Sequence, residues 1–289
     1  ALAGELRLAD GSAAAVQGLL QQGVTCFDMD FVLTSDGHLL ATHPERLQKA
    51  AKEAGYSAPL QVWNNDLVPL SLADVRAAGL DDLRFPTMGE VLDAFLDSMM
   101  QADVGSPLPL TGEPERQPAK KSSTDNLLLL LDMKFAAFSE VAVAAAMQMV
   151  TDRGLQHITT LWFGEDAPTL RTLVQASAPA VRTIRVFRDR GELPSVIAVQ
   201  QAAKSYDMLG PSIKMPAVLL NEMVKAGGPV LGWVVDDESA MKVAVEIGLQ
   251  KVVSNKPLAM HHLRHSWRCA CQAFHEQKLP LDVDASSVT

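Results

Sequence analysis

The most constraining feature of this chain is an alternation: short apolar runs of strand length give way, again and again, to segments of helical period. Asn126 to Lys134 reads as a strongly apolar strand, and Phe138 to Arg153 as an Ala-rich helix. Further strands are predicted near 157–162, 181–187, 206–209, 229–235 and 250–254, with helices near 166–177, 194–204, 215–226 and 237–247 between them. Strands separated by helices of roughly 10–15 residues form βαβ units, and these build a parallel sheet. Seven or eight such units favour an α/β architecture closed into a (β/α)8 TIM-type barrel over an open doubly wound sheet. No glycine-rich phosphate fingerprint follows an early strand, which weakens the open-sheet alternative further.

The first part of the chain is less regular. Ser12 to Gln22 reads as a helix, with Ser12 as N-cap and Gly23 as stop. Thr25 to Leu33 is a strand, Ser35-Asp36-Gly37 a turn, and His38 to His43 a second strand. Residues 44–85 mix helical and loop signals, and Thr87 to Met99 is an amphipathic helix opening after Phe85-Pro86. Gln101 to Thr124 holds Pro107, Pro109, Pro114 and Pro118 among Gly, Ser and Lys, the composition of a low-complexity loop insertion. A last helix is expected from Leu258 to Gln277, before a polar tail. The expected organisation is one barrel over 1–278 carrying the 101–124 insertion, then a tail at 279–289. The 289 residues suit a single barrel domain, which typically needs about 250.

Composition excludes some functions. A net charge of −9 argues against a nucleic-acid surface, since affinity for phosphate backbones comes from clustered Lys and Arg. The longest aliphatic run, Leu127 to Leu131, is far short of the roughly 20 residues that span a bilayer, so a soluble chain is expected. Ala1 in place of Met is what removal of a leader, or of a tag, would leave. Cys26, Cys269 and Cys271 are too few, and odd in number, for a disulfide framework.

The chemistry gathers on two strands. Asp28 and Asp30 stand at i and i+2, which puts both carboxyls on one face of their strand. Two acids on a mostly apolar strand call for a cation or a basic partner. The Leu127 strand ends in Asp132-Met133-Lys134, again at i and i+2. In a parallel barrel all carboxyl ends of strands converge at one rim, so these three acids, Lys134 and His43 are expected to meet there. Three carboxylates suit a hard cation, Mg2+ or Ca2+. An ordinary strand-end salt-bridge network among Asp30, Asp132 and Lys134 is the competing reading.

These same residues carry a resemblance. Gly23-Val-Thr-Cys-Phe-Asp-Met-Asp-Phe-Val-Leu-Thr-Ser-Asp-Gly-His-Leu-Leu-Ala-Thr-His43 resembles the glycerophosphodiester phosphodiesterase pattern G-A-D-x-I-E-x-D-V-x-x-T-x-D-G-x-x-V-x-x-H-D. Phe85-Pro-Thr-Met-Gly-Glu-Val-Leu92 is similar to that family's I-P-T-L-E-E-V-L, and Leu131-Asp-Met-Lys134 to its I-E-I-K. Gly232-Trp-Val-Val-Asp236 and Glu246-Ile-Gly-Leu-Gln-Lys-Val-Val-Ser-Asn-Lys-Pro257 resemble its V-W-T-V-N and G-V-D-G-I-I-T-D-x-P ending. The resemblance implies metal ligation by Asp28, Asp30 and Asp132, phosphate contact by Lys134, acid–base work by His43 and a substrate-facing Trp233. The implied reaction cleaves a glycerophosphodiester, or a related phospholipid-derived small molecule, to glycerol phosphate and an alcohol.

The departures are as specific as the matches. Leu2 stands where the family's first histidine belongs, and Pro44 follows the second histidine in place of an acid. Asp28 and Asp132 replace glutamates one methylene longer, and Asn255 replaces the Asp of T-D-x-P. Two readings therefore remain: a working metal-dependent phosphodiesterase, or a catalytically degraded barrel retained as a structural or binding subunit among protein partners. Lesser candidates are His261, His265 and Cys269 at helical spacing, read as scattered polar residues. Arg182, Arg185, Arg188 and Arg190 are read as solvated charge, with phosphate contact as the alternative. Trp162-Phe163 are read as mouth lining or rim packing, and His38 as exposed.

Overall fold

The computed structural model describes residues 13–21, 24, 26–55, 70–80, 85–104, 127–134, 137–249 and 251–256. Helix α1 (Ala13–Gln21) precedes strand β1 (Cys26–Leu33), which turns through Thr34–His38 into β2 (Leu39–Ala41). Helices α2 (Pro44–Glu53), α3 (Leu72–Ala77) and α4 (Met88–Val104) follow. Then come β3 (Leu128–Met133), α5 (Glu140–Asp152), β4 (Thr159–Phe163), α6 (Pro168–Ser177), β5 (Arg182–Phe187) and α7 (Val196–Ser205). The described residues end with β6 (Met208–Pro211), α8 (Ala217–Lys225), β7 (Leu231–Gly232), α9 (Glu238–Ile247) and β8 (Lys251–Val252).

Strands β1, β3, β4, β5 and β6 pair in parallel in that order, and β7 pairs in parallel with β8. Parallel bridges Leu209–Val230 and Ser212–Trp233 join β6 to β7. Strand β2 is antiparallel to β1. The result is the α/β barrel order, each parallel strand from β3 to β7 followed by a helix; among the described residues no pair closes β8 onto β1.

Period-two burial sorts each strand's side chains into two layers. Leu128, Leu130, Trp162, Ile184, Val186, Met208 and Leu231 pack together on the inner side of the sheet. The alternate residues, among them Phe27, Phe31, Leu129, Leu131 and Phe163, pack outward against Val143, Met147, Val174 and Met223 of the helices. This explains why β3 reads as continuous leucine: it is buried on both faces, as parallel-sheet strands are. By the same alternation Asp28, Asp30, Asp132 and Lys134 belong to the inner side.

Local chemistry sets the helix starts. Ser139, Ser195 and Asp237 each accept a hydrogen bond from a first-turn backbone N–H, satisfying donors the helix cannot. Ser71 and Asp74 form a reciprocal capping box on α3. Gly248 ends α9 at a left-handed φ of 84°, where a side chain would be strained.

The strand and helix order agrees with the sequence reading in the second half and departs from it in the first. Residues 44–53 are a helix rather than mixed loop, because Pro44 takes the first helical turn, where its missing N–H is harmless, and Leu47, Ala50 and Ala51 form a buried face. The helix expected to end at Met99 runs on to Val104, so the first residues of the 101–124 segment are helical. The rest of that segment, Leu2, Gly23, the Leu258–Gln277 helix with His261, His265, Cys269 and Cys271, and the 279–289 tail lie outside the described residues. Among the described residues no helix is long and apolar enough to cross a membrane.

Candidate active site

At the carboxyl rim, β1 and β3 lie side by side with Asp30 directly paired to Asp132 and Asp28 paired to Leu130. Lys134, just past β3, donates from its backbone N–H to the Phe31 carbonyl at 2.8 Å. Its ammonium lies 2.9 Å from Asp30 Oδ1 and also donates to Asp132 Oδ2. The three side chains are partly buried, at 22% exposure for Lys134, 30% for Asp30 and 16% for Asp132. One ammonium thus bridges two carboxylates on neighbouring strands.

The electrostatics follow from that crowding. Burial pushes the Asp132 carboxyl above its ordinary value, more than the pull of Lys134 lowers it. Burial alone would lower the Lys134 ammonium, but Asp132 and Asp30 outweigh it and hold it above the usual lysine value. Asp28 lies one step deeper. Its carboxyl is reached by water, yet surrounding protein, then Asp30 and Asp132, push it up to about 8 against the opposing pull of Lys134. The cluster is short of positive charge. Below Asp28, the Cys26 thiol is pushed up to about 12 by burial and then by Asp28, which makes it an inert packing group.

His43 reaches the rim by the β1–β2 hairpin. Phe31 pairs with Ala41, and the Thr42 N–H donates to the Asp30 carbonyl at 2.9 Å, so the return strand arrives level with the acids. Ala41 N–H donates on the other side to the Pro86 carbonyl at 2.8 Å. His43 is then the N-cap residue of α2; its side chain caps nothing and instead meets the Glu45 carboxylate through Nδ1. The structure therefore brings Asp30, Asp132 and Lys134 into direct contact, sets Asp28 in the same electrostatic field, and leaves the His43 ring paired to Glu45. Among the described residues no set of three or more His, Cys, Asp or Glu side chains is grouped as a metal site.

Trp233 lies across the barrel interior, edge-to-face against Trp162 with ring centroids 5.9 Å apart. Its Nε1–H donates to the Gly210 carbonyl at 2.8 Å, fixing the indole at the β6–β7 side of the mouth. Trp162 is thus interior, while Phe163 points outward against Phe138 and Tyr206. His38 is exposed, 3.9 Å from Asp36.

The arginine series divides. Arg185 is half-buried in the outer layer, donating to the carbonyls of Phe163 and Val186 and lying over the Phe187 ring, so solvated charge does not describe it. Arg182 is also half-buried, at the amino end of β5, whereas Arg188 and Arg190 are exposed. Asn255, a departure by sequence, turns out to be braced. Its N–H and Nδ2 donate to Asp236 at 2.6 and 2.7 Å, tying the chain after β7 to the chain after β8. The family pattern has Asn and Asp at these two positions, and the chain holds them exchanged, with the carboxylate–amide pair kept. Sequence reading treated the two positions separately and missed this; their joint exchange was the available signal.

Comparison with known proteins agrees with the fold. The sequence profile of the Glycerophosphoryl diester phosphodiesterase family matches residues 4–259. No curated protein matches the chain in sequence. Among solved structures, an Oleispira antarctica phosphodiesterase, determined with the product sn-glycerol-3-phosphate, superposes with a TM-score of 0.61 at 16% identity, over 89% of this chain and 92% of that one. A glycerophosphodiester phosphodiesterase from Parabacteroides distasonis gives 0.60 at 15% identity, over 90% and 92%. One from Thermotoga maritima gives 0.58 at 13%, over 90% and 94%. At such identities the structural likeness carries the barrel fold, and the profile match over nearly the whole chain carries the relationship: the chain belongs to the glycerophosphoryl diester phosphodiesterase family.

Proposed function

We propose that this chain is a metal-dependent phosphodiesterase that hydrolyses a glycerophosphodiester to glycerol phosphate and an alcohol. The observation that carries the reading is the acid cluster at the mouth, three carboxyls on two adjacent strands with Lys134 among them. In kind the donor set suits a hard divalent cation, because it is all carboxylate oxygen, but the Lys134 ammonium stands between Asp30 and Asp132 and the three acids are not gathered around one point. It suits one in charge as well: burial, then the negative charge of Asp30 and Asp132, hold the Asp28 carboxyl up to about 8, and a cation would relieve the part due to charge. Asp28, Asp30 and Asp132 would hold Mg2+ or Ca2+, which supplies neutralisation of phosphate charge.

The chain's own residues then have separate tasks. Were Asp30 and Asp132 to hold the cation, the Lys134 ammonium would be released from them and would be placed to take a phosphate oxygen. Trp233, fixed by its hydrogen bond to Gly210, bounds the substrate on the far side of the mouth. Water adds across the phosphorus–alcohol bond, its oxygen to phosphorus and a proton to the departing alcohol oxygen; His43 moves that proton. The Oleispira relative's bound sn-glycerol-3-phosphate is in keeping with a mouth that holds a phosphate monoester.

A second reading has its own observation: the His43 ring pairs with Glu45 rather than with the acids, and Leu2 and Pro44 stand where the family carries polar groups. In that reading the barrel binds without turnover, as a subunit among protein partners. Release of glycerol phosphate from glycerophosphocholine with added Mg2+ or Ca2+ separates the two. Turnover by the wild type that is lost in His43→Ala supports the enzyme. Release by the wild type that does not depend on added metal and does not exceed that of His43→Ala, or none by either, supports the binding subunit.

A further inference from the structure

We propose that Arg188 is a phosphate-binding residue of the mouth, acting with Lys134 from the opposite side of a gap left open at Gly164. The inference rests on the phosphate-handling role proposed above and adds a residue to it. Strand order around the mouth is β3, β4, β5. Continuing the inner-facing series past each strand end places Lys134 after β3, Gly164 after β4 and Arg188 after β5. The middle position has no side chain. The Arg188 guanidinium occupies that side of the mouth: its Nη2 lies 3.8 Å from the point where a Cβ on Gly164 would stand, ordinary contact distance. Arg188 has therefore leaned from β5 over the end of β4, towards β3.

Seen from the other end, the Arg188 guanidinium stands on the side of the mouth that Asp132 and Lys134 face across the Gly164 gap. The two cations differ in availability. Lys134 is engaged by Asp30 and Asp132, whereas Arg188 is exposed and has no carboxylate within ion-pair distance among the described residues. A planar guanidinium presents two parallel N–H donors to a phosphate, a geometry that an ammonium cannot supply. With one cation held by the acids, a free guanidinium across a side-chain-free gap is the group that meets an incoming phosphate first.

The test is calorimetric binding of inorganic phosphate and of sn-glycerol 3-phosphate to the full chain, for the wild type, Arg188→Gln, Arg188→Lys and Gly164→Leu. Arg188→Gln is expected to weaken both ligands by on the order of tenfold, and Arg188→Lys to recover only part of that. Gly164→Leu removes no charge but fills the gap, and is expected to weaken binding as well. Urea midpoints establish that each variant is folded. Wild-type affinity in Arg188→Gln, or no phosphate binding by the wild type, overturns the proposal. Hydrolysis by the wild type with unchanged phosphate affinity in Arg188→Gln sinks Arg188 alone. Arg188-dependent phosphate binding without any hydrolysis sinks the enzyme reading and leaves Arg188 standing.

Discussion

Replacing Lys134 by Met keeps most of the side chain's length and removes the one charge that Asp30 and Asp132 share. At an effective dielectric near 20, a unit pair at the 2.9 Å separation of Lys134 and Asp30 attracts by about 6 kcal/mol. Desolvation of the partners offsets much of that. Removing one member of a fully buried pair costs ~3–5 kcal/mol, and these side chains still meet water, so the expected loss is ~2–3 kcal/mol at neutral pH. The pH dependence identifies the cause. Asp132 already sits above its ordinary value through burial, and without the ammonium it rises further. A carboxyl that protonates more readily in the folded than in the unfolded chain adds stability below its unfolded value near ~4, and that stability is lost as pH rises through its folded value. The deficit of Lys134→Met should therefore shrink towards about pH 5 and grow towards about pH 8, and Asp132→Asn added to it should restore at least about half of the loss. Urea unfolding of the four proteins of this cycle at both pH values measures it. A deficit that does not change with pH, or no recovery in the double variant, would refute the shared-charge account.

Two more outcomes follow from the charges at the rim and the packing of the inner layer. Asp28, held up to about 8, should titrate there by carbon NMR of its carboxyl; stability should fall as pH rises from about 4 through 8, and Asp28→Asn should remove that slope. A titration midpoint below about 5 would show that the Asp28 carboxyl is neither desolvated nor crowded by the other acids. Gly210→Ala would set a Cβ 3.0 Å from Ile184 Cδ1 and 3.4 Å from Val186 Cγ2, a loss of ~1–2 kcal/mol, and Ile184→Val should restore part of it by removing the nearest atom. Full stability in Gly210→Ala would mean that the inner layer has slack.

Much of this was legible because parallel strands announce themselves. The leucine run of β3 and the alternation from Thr159 to Ile247 depend on burial on two faces, which sequence records directly. Asp28, Asp30, Asp132 and Lys134 were legible as a group because i, i+2 spacing on a strand has one outcome. What was not legible depends on partners distant in sequence. Helix α2 hides behind low hydropathy, since only Leu47, Ala50 and Ala51 need be apolar to seat it beneath Val32 and Leu40. Arg185 reads as one of four similar arginines, and only the packing of Phe163 and Phe187 around it makes it an interior hydrogen-bond donor. The pairing of Asp236 with Asn255 spans the whole of α9. The His43 ring was placed by family resemblance and the hairpin brought its backbone to the rim, but Glu45 two residues on, not the acids, took its side chain.

The hairpin that delivers His43 also sets where the chain can change length. Its tip is secured by side chains: the Thr34 hydroxyl and the Leu72 N–H both donate to Asp36, and Gly37 takes a left-handed φ of 87°. A residue gained at the tip disturbs those local bonds and leaves the Thr42–Asp30 register intact. A residue gained between Leu39 and Thr42 slips β2 by one place, turns its buried side chains to the opposite face and carries His43 off the level of the acids. Relatives of this chain should therefore differ freely in the length of the turn and agree in the length of the return strand.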